Sequence, residues 1–256
     1  GSGIAYAKAG AGAVVTQAMA NLDFGELGIQ ILEKGYSADQ VGRALLELDP
    51  GRADRQFGIV DAQGGSFTYT GENCFDYAGG VCGENFAAQG NILVSKATVD
   101  ALVETFHTSK GSLARRLLAC LDAAQSAGGD RRGRQSAALY IAQKGASYGG
   151  YNDTKVDLRA DDHPEPIQEL GRLLQLHELY FGETKKEDIL ELTQEQILVI
   201  QQQLKKLSYY DGPLHSQWDT ATAEAYKGFC GWENFEERIL EGARVDRLVY
   251  DILLKK

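Results

Sequence analysis

The chain has 256 residues, 43% of them hydrophobic and 24% charged, with a formal net charge of −10 at pH 7. That much apolar material excludes an intrinsically disordered chain. The acidic balance excludes a nucleic-acid backbone as the main ligand, because phosphate binding needs an excess of Lys and Arg. Glycine is abundant, 30 residues against 4 prolines, and marks tight turns or a site built from main chain. Four cysteines are too few for a disulfide scaffold. Cys74 and Cys82 lack the CxxC spacing and the nearby His of a zinc site, and read either as a loop disulfide or as free thiols. No apolar run reaches the ~20 residues of a membrane helix. The start, Gly1-Ser2-Gly3-Ile4, lacks the basic and apolar regions of a signal peptide. The expectation is a cytoplasmic chain with no membrane span, no metal and no cofactor.

In chain order, Ala11–Ala18 reads as a buried strand. Leu27, Ile31 and Leu32, then Val41, Leu45 and Leu48, recur at helical spacing on two helices separated at Gly35. Ser37 with Gln40 forms a capping box for the second, and Asp49-Pro50-Gly51 ends it. Gln56–Asp61 and Ser66–Thr70 form a hairpin around Gly64-Gly65. A strand over Phe86–Leu93 leads into a helix from about Ser95 to Phe106, and a second helix covers Leu113–Ser126. Strands follow at Gln135–Gln143 and Val156–Arg159, then a helix over Ile167–Phe181. Runs of each type rather than strict alternation indicate an α+β fold. A charged stretch at Gly182–Asp188 resembles a linker. Beyond it lies a helical module, with a capping box at Thr193 and Gln196, a turn at Tyr209–Pro213, a helix capped by Thr220, and a third helical segment over Glu233–Leu240.

Four segments carry a resemblance: Asp61-Ala62-Gln63-Gly64 leading to Thr70-Gly71-Glu72; Ala87-Ala88-Gln89-Gly90-Asn91; Gly128-Gly129-Asp130-Arg131-Arg132-Gly133-Arg134-Gln135-Ser136; and Val156–His163. Together they resemble the bacterial and archaeal family DUF1028, which is placed in the N-terminal-nucleophile (Ntn) hydrolase superfamily. The resemblance covers roughly residues 4–181. Residues 190–256 are similar to a peptidoglycan-binding domain carried by some members, through Leu207-Ser208-Tyr209-Tyr210-Asp211-Gly212 and Gly231-Trp232-Glu233-Asn234.

The resemblance implies a four-layer αββα sandwich over residues 1–181, a linker at 182–189, and a small all-α domain over 190–256. It also implies amide hydrolysis by a terminal Thr, Ser or Cys whose own α-amino group, with a pKa near ~7.7–8.0, serves as base. Family members place a hairpin bearing that residue before the segment matching Ala7-Lys8-Ala9-Gly10, where this chain begins, so the leading hairpin and its nucleophile are expected to be missing here. The catalytic candidates are Ser2, which becomes terminal only if Gly1 is removed, Lys8 as a cation, and Gly90 with Asn91 as an oxyanion site. For each there is an ordinary structural role as well: a loop, a solvated cation and a helix cap. Asp130, Arg131, Gln135 and Ser136 are substrate-binding candidates, and Asp130 with Arg131 and Arg132 reads equally as an ion-paired turn. Asp161, Asp162 and His163 diverge too much for a metal site. Tyr209, Tyr210, Asp211, Trp218 and Trp232 are either glycan-stacking residues or core and turn residues. The expected function is an amidohydrolase for a small amide or cell-wall-derived peptide, the alternative a non-catalytic peptidoglycan-binding or scaffold protein. A homo-oligomer is expected in either case.

Overall fold

The computed structural model describes residues 3–256, so Ser2 lies outside the described residues. The chain divides into two compact units, one ending at Leu174 and the other Gln175–Lys256.

In the first unit, strands β1 (Ala5–Lys8), β2 (Gly12–Ala18), β3 (Arg55–Asp61) and β4 (Ser66–Thr70) form an antiparallel sheet in that order. Strand alternation sends Val14, Phe57 and Ile59 to one face. There they meet Phe24 and Leu32 of α1 (Asp23–Leu32) and Val41 and Leu45 of α2 (Ala38–Leu48). The Ser37–Gln40 capping box is present at the start of α2. The opposite face meets a second sheet, β5 (Gly79–Gly83) paired with β6 (Phe86–Gly90). Gln89 of β6 lies over Gly58, where a Cβ would fall 2.3 Å from its Oε1. Three residues earlier, on the other side of the pleat, Phe86 packs on Phe106 of α3 (Ala97–Thr108), with ring centroids 5.4 Å apart. The four-stranded sheet is therefore covered by α1 and α2 on one face and by β5–β6 on the other, with α3 packed on β6, in an α+β arrangement of small sheets. Helix α4 (Leu113–Ser126), β7 (Ala137–Ala142), β8 (Thr154–Ala160) and the first half of α5 (Pro166–Phe181) share a further cluster around Ala114, Leu139, Val156 and Leu170.

Two local anchors hold the first sheet in place. Asp61, 6% exposed, accepts from the backbone N–H groups of Gln63 and Gly65 in the hairpin turn and of Ala38 at the start of α2, at 2.8–3.0 Å. Gly12 sits at φ +148°, where a Cβ would lie 2.2 Å from the Val60 carbonyl oxygen. Gly12→Ala is expected to cost about 2–4 kcal/mol, because neither a strained φ nor a backbone neighbour can yield cheaply. A urea melt of the full chain checks this.

Asp49, at the end of α2, is nearly buried and accepts from Arg55 Nε at 2.8 Å and from the Gly51 N–H at 2.8 Å. The Arg55 hydrogen bond, opposed by burial, holds its carboxyl below the usual carboxylate range. A depressed native pKa gives stability that is fully present above the ordinary value of ~3.9 and is lost as pH falls through the native value. Asp49→Asn is therefore expected to lower stability at pH 7 and to leave a smaller further loss between about pH 4 and 2. Urea melts of parent and variant at both ends of the range measure the difference.

The second unit contains α6 (Gln194–Lys206), α7 (Thr220–Trp232) and α8 (Arg247–Leu253) around Ile200, Leu204, Phe229 and Val249. It is not all-helical. Strands β9 (Ile189–Glu191) and β10 (Arg244–Asp246) pair antiparallel, because Val245 and Asp246 are drawn into the core and take an extended path there. The expected third helix at Glu233–Leu240 is only a 3-10 turn over Glu236–Arg238. Asn234 at φ +60° ends α7, and the chain then turns to bury Arg238. The cap of α7 is Asp219, which accepts from Thr222 N at 2.8 Å, rather than Thr220. Two strands of the first unit, β1 and β5, were also not expected from the sequence. The GGVCG run of β5 has little strand propensity of its own and is extended through its pairing with β6.

Candidate functional site

Helix α4 ends in two glycines, Gly128 at φ +126° and Gly129 at φ +62°, which turn the chain toward β7. Val94 N donates to Gly129 O at 3.0 Å, Leu93 bridges Asp130, and Arg131 N donates to Ile92 O at 2.9 Å. The turn is thereby tied to the segment after β6. Asp130 accepts from Arg132 through Nε at 3.0 Å, Nη2 at 2.6 Å and the backbone N–H at 2.8 Å. The Arg132 hydrogen bond holds the Asp130 carboxyl below its ordinary range. Of the two arginines that the ion-paired turn could use, Arg132 is the one that closes it.

This turn opens on a cavity of about 800 Å³ lined by Asp130, Arg132, Arg134, Gln135, Ser136 and Asp162, with Leu121 and Gln125 of α4 on one wall and Pro166 and Ile167 of α5 on another. Three of the four substrate-binding candidates, Asp130, Gln135 and Ser136, meet here, and Arg131 does not line it. The volume falls within the ~300–1,000 Å³ usual for small-molecule sites. Guanidinium, carboxylate, amide and hydroxyl groups together suit a ligand with both amide and charged ends.

The catalytic candidates lie elsewhere and apart. Lys8 ends β1 and pairs with Glu33, the residue just after α1, at 2.5 Å. Asn91 Nδ2 donates to Gln56 Oε1 at 2.9 Å, and the carbonyl of Gly90 accepts from Gln56 Nε2 at 2.9 Å. Asn91 does not cap α3, whose N-cap position is Lys96. Lys8 faces Gly12 in the sheet register whereas Gln56 faces Gln17, five residues further along β2. At ~3.4 Å per residue those positions are ~17 Å apart. Lys8 and Asn91 therefore do not form one centre, and each is held by an internal partner. His163 Nδ1 accepts from Glu165 N at 3.0 Å, and Asp161 faces Arg159. Among the described residues no three His, Cys, Asp or Glu side chains converge as metal ligands would. All four cysteines are free thiols, so Cys74 and Cys82 are not bridged.

In the second unit the glycan candidates occupy three places. Tyr209, Tyr210 and Asp211 border a surface hollow of about 330 Å³ together with Glu224 and Gly228. Tyr210 is otherwise a core residue, 5% exposed, with its hydroxyl donating to Pro213 O at 2.8 Å. Tyr209 stands edge-on to Phe229. Trp218 packs on Tyr226 beside a separate hollow of about 190 Å³ that includes Lys227 and Glu241. Trp232 is 77% exposed at the end of α7.

A family model described as "Family of unknown function (DUF1028)" matches residues 1–170. The chain belongs to the DUF1028 family. A second model, "Putative peptidoglycan binding domain", matches residues 180–253. The crystal structure of protein SPO2555 from Silicibacter pomeroyi, which carries the DUF1028 family model, is similar at a TM-score of 0.63 and 31% identity, over 69% of this chain and 74% of that one. No curated protein matches the chain.

The DUF1028 unit contains site residues that sequence reasoning passed over. Gln56 is fully buried and organises Gln17, Thr70, Asn91 and the carbonyl of Gly90. Its one sequence signal is an amide at an otherwise apolar strand position in QFGIVD. Arg134 and Asp162 reach the cavity only because β7 and the approach to α5 converge on it. Among the described residues no helix of this DUF1028 chain is long and apolar enough to cross a membrane.

Proposed function

We propose that this DUF1028 chain recognises peptidoglycan-derived fragments, its first unit taking a small amide or peptide in the cavity at Asp130–Ser136 and its second unit binding cell-wall material. One observation carries this reading: a polar cavity of peptide-sized volume and a peptidoglycan-binding domain match occur on the same chain. The Tyr209–Asp211 hollow and exposed Trp232 are the docking candidates on the second unit.

In its catalytic form the reading is an Ntn-type amidohydrolase on an αββα sandwich. The helix–sheet–sheet–helix layering supports it. Such an enzyme would attack the amide carbonyl with a terminal hydroxyl or thiol, pass that proton through its own α-amine to the leaving nitrogen as the C–N bond breaks, and then hydrolyse the acyl-enzyme with water to free the acid and restore the nucleophile. The non-catalytic reading is favoured by a different observation, namely that Lys8 is spent on Glu33 and Asn91 on Gln56. A homo-oligomer belongs to both readings, and light scattering on the full chain measures it. Cytoplasmic placement suits soluble fragments, whereas binding to the polymer would place the chain outside the membrane; cell fractionation separates the two.

The test is co-sedimentation of the full chain with purified peptidoglycan, with muropeptides analysed by mass spectrometry before and after incubation. Co-sedimentation is expected. New amine-bearing products select the hydrolase, and retention without products selects the binder. Absence of both retention and products overturns the proposal.

A further inference from the structure

The cavity of the first unit combines charges in balance with groups left open. Arg132 and Arg134 stand against Asp130 and Asp162, so its lining carries no net charge and favours neither a polyanion nor a polycation. Arg132 directs both Nε and Nη2 at Asp130. Arg134 binds Glu165 through Nη1, and among the described residues its Nε and Nη2 have no partner. That open edge is the geometry that takes a carboxylate through two parallel hydrogen bonds. Asp162 likewise lines the cavity without a partner among the described residues, as do the side chains of Gln125, Gln135 and Ser136. The open edge of a guanidinium, an unpaired carboxylate and three neutral hydrogen-bonding groups therefore converge on one space. A smaller hollow of about 150 Å³ adjoins it across Arg134 and Ile167 and holds Asp122 and Glu165, so the surroundings on that side are acidic.

We infer that the cavity takes a short zwitterionic peptide, with its carboxylate on the open edge of Arg134, its ammonium on Asp162, and its amides on Gln125, Gln135 and Ser136. This deepens the proposed function and rests on its reading of the cavity as the ligand site. A lone carboxylate would leave Asp162 unanswered, and a lone amine would leave Arg134 so. Only a ligand with both ends, spaced by amides, uses every open group.

The experiment is isothermal titration of the full chain with trialanine, its N-acetyl form and its C-terminal amide. Free trialanine is expected to bind at least about tenfold tighter than either capped form. Arg134→Gln is expected to abolish the discrimination against the amide while keeping that against the N-acetyl form, and Asp162→Asn to do the reverse. Glu165→Gln frees the guanidinium of its in-chain partner and is expected to keep both. The three altered side chains are on the surface, and thermal melts verify the fold. Equal binding of all three ligands, or discrimination that survives in Arg134→Gln and Asp162→Asn, overturns the inference. Wall retention that persists in both variants while trialanine shows no preference discards this ligand assignment and keeps the proposed function. A preserved trialanine preference with no wall retention and no muropeptide products does the opposite.

Discussion

Arg238→Ala is expected to melt the C-terminal module at least ~12 °C below the parent. Arg238 is 4% exposed, and its guanidinium donates to Asp246 Oδ2 at 2.6 Å, to the Leu179 carbonyl at 2.6 Å and to the Glu178 carbonyl at 2.5 Å. The two carbonyls are at the end of α5, and Asp246 starts α8, whose Leu248 N–H it accepts at 2.7 Å. One side chain thus ties a helix end, a strand and a helix start together. Truncating it leaves Asp246, which is 0% exposed, as a buried charge without its cation. Breaking such a pair from one side costs about 3–5 kcal/mol. For a domain of this size each kcal/mol moves the midpoint by ~4–8 °C. Arg238→Lys is expected to recover only part of the loss, because an ammonium cannot reach three acceptors in the directions a guanidinium does. Calorimetry of the full chain reads both variants. A midpoint within about 2 °C of the parent for Arg238→Ala would show that the clasp contributes little.

Gln56→Leu is expected to destabilise the first unit by about 3–6 kcal/mol, the sum of several buried polar groups losing their partner at ~1–3 kcal/mol each. Its Nε2 serves Thr70 Oγ1 and Gly90 O, both at 2.9 Å, and its Oε1 accepts from Gln17 at 2.8 Å and Asn91 at 2.9 Å. Leucine fills the same space and satisfies none of these. Asn91→Leu removes a single, half-buried member and is expected to cost no more than about 2 kcal/mol. Urea melts followed by tyrosine and tryptophan fluorescence distinguish the two. Equal losses in both variants would mean that Gln56 is not the hub. The same comparison bears on chemistry. If Asn91 were a free amide aimed at substrate, removing Gln56 would leave its position unchanged and amide binding intact.

The parts of this molecule that were legible in its sequence are those decided within a few residues. The capping boxes at Ser37–Gln40 and Thr193–Gln196 need only three-residue spacing, and both are present. The β3–β4 hairpin follows from two strand-forming runs around Gly64-Gly65. The membership in DUF1028 was carried by short motifs, and one of them, Gly128–Ser136, is turn and cavity rim rather than core. Those motifs also brought Asp130, Gln135 and Ser136 forward as ligand residues, but left open which of Arg131 and Arg132 pairs with Asp130, because adjacent side chains in a turn cannot be ranked without its dihedrals.

The amino-acid sequence by itself determined the α+β content, the starts of α2 and α6, the hairpin, and a glycine-rich turn joined to a polar rim, since each depends on local torsional preference and hydrophobic period. Tertiary structure alone decided that Lys8 and Asn91 are at opposite ends of a sheet and internally paired. It also decided that Arg134 and Asp162 share a cavity, and that β5, β10 and α8 exist. These depend on pairings between residues tens of positions apart. Burial makes an unpartnered charge or amide costly, so the long-range partner, and not the local sequence, sets where each such group ends up.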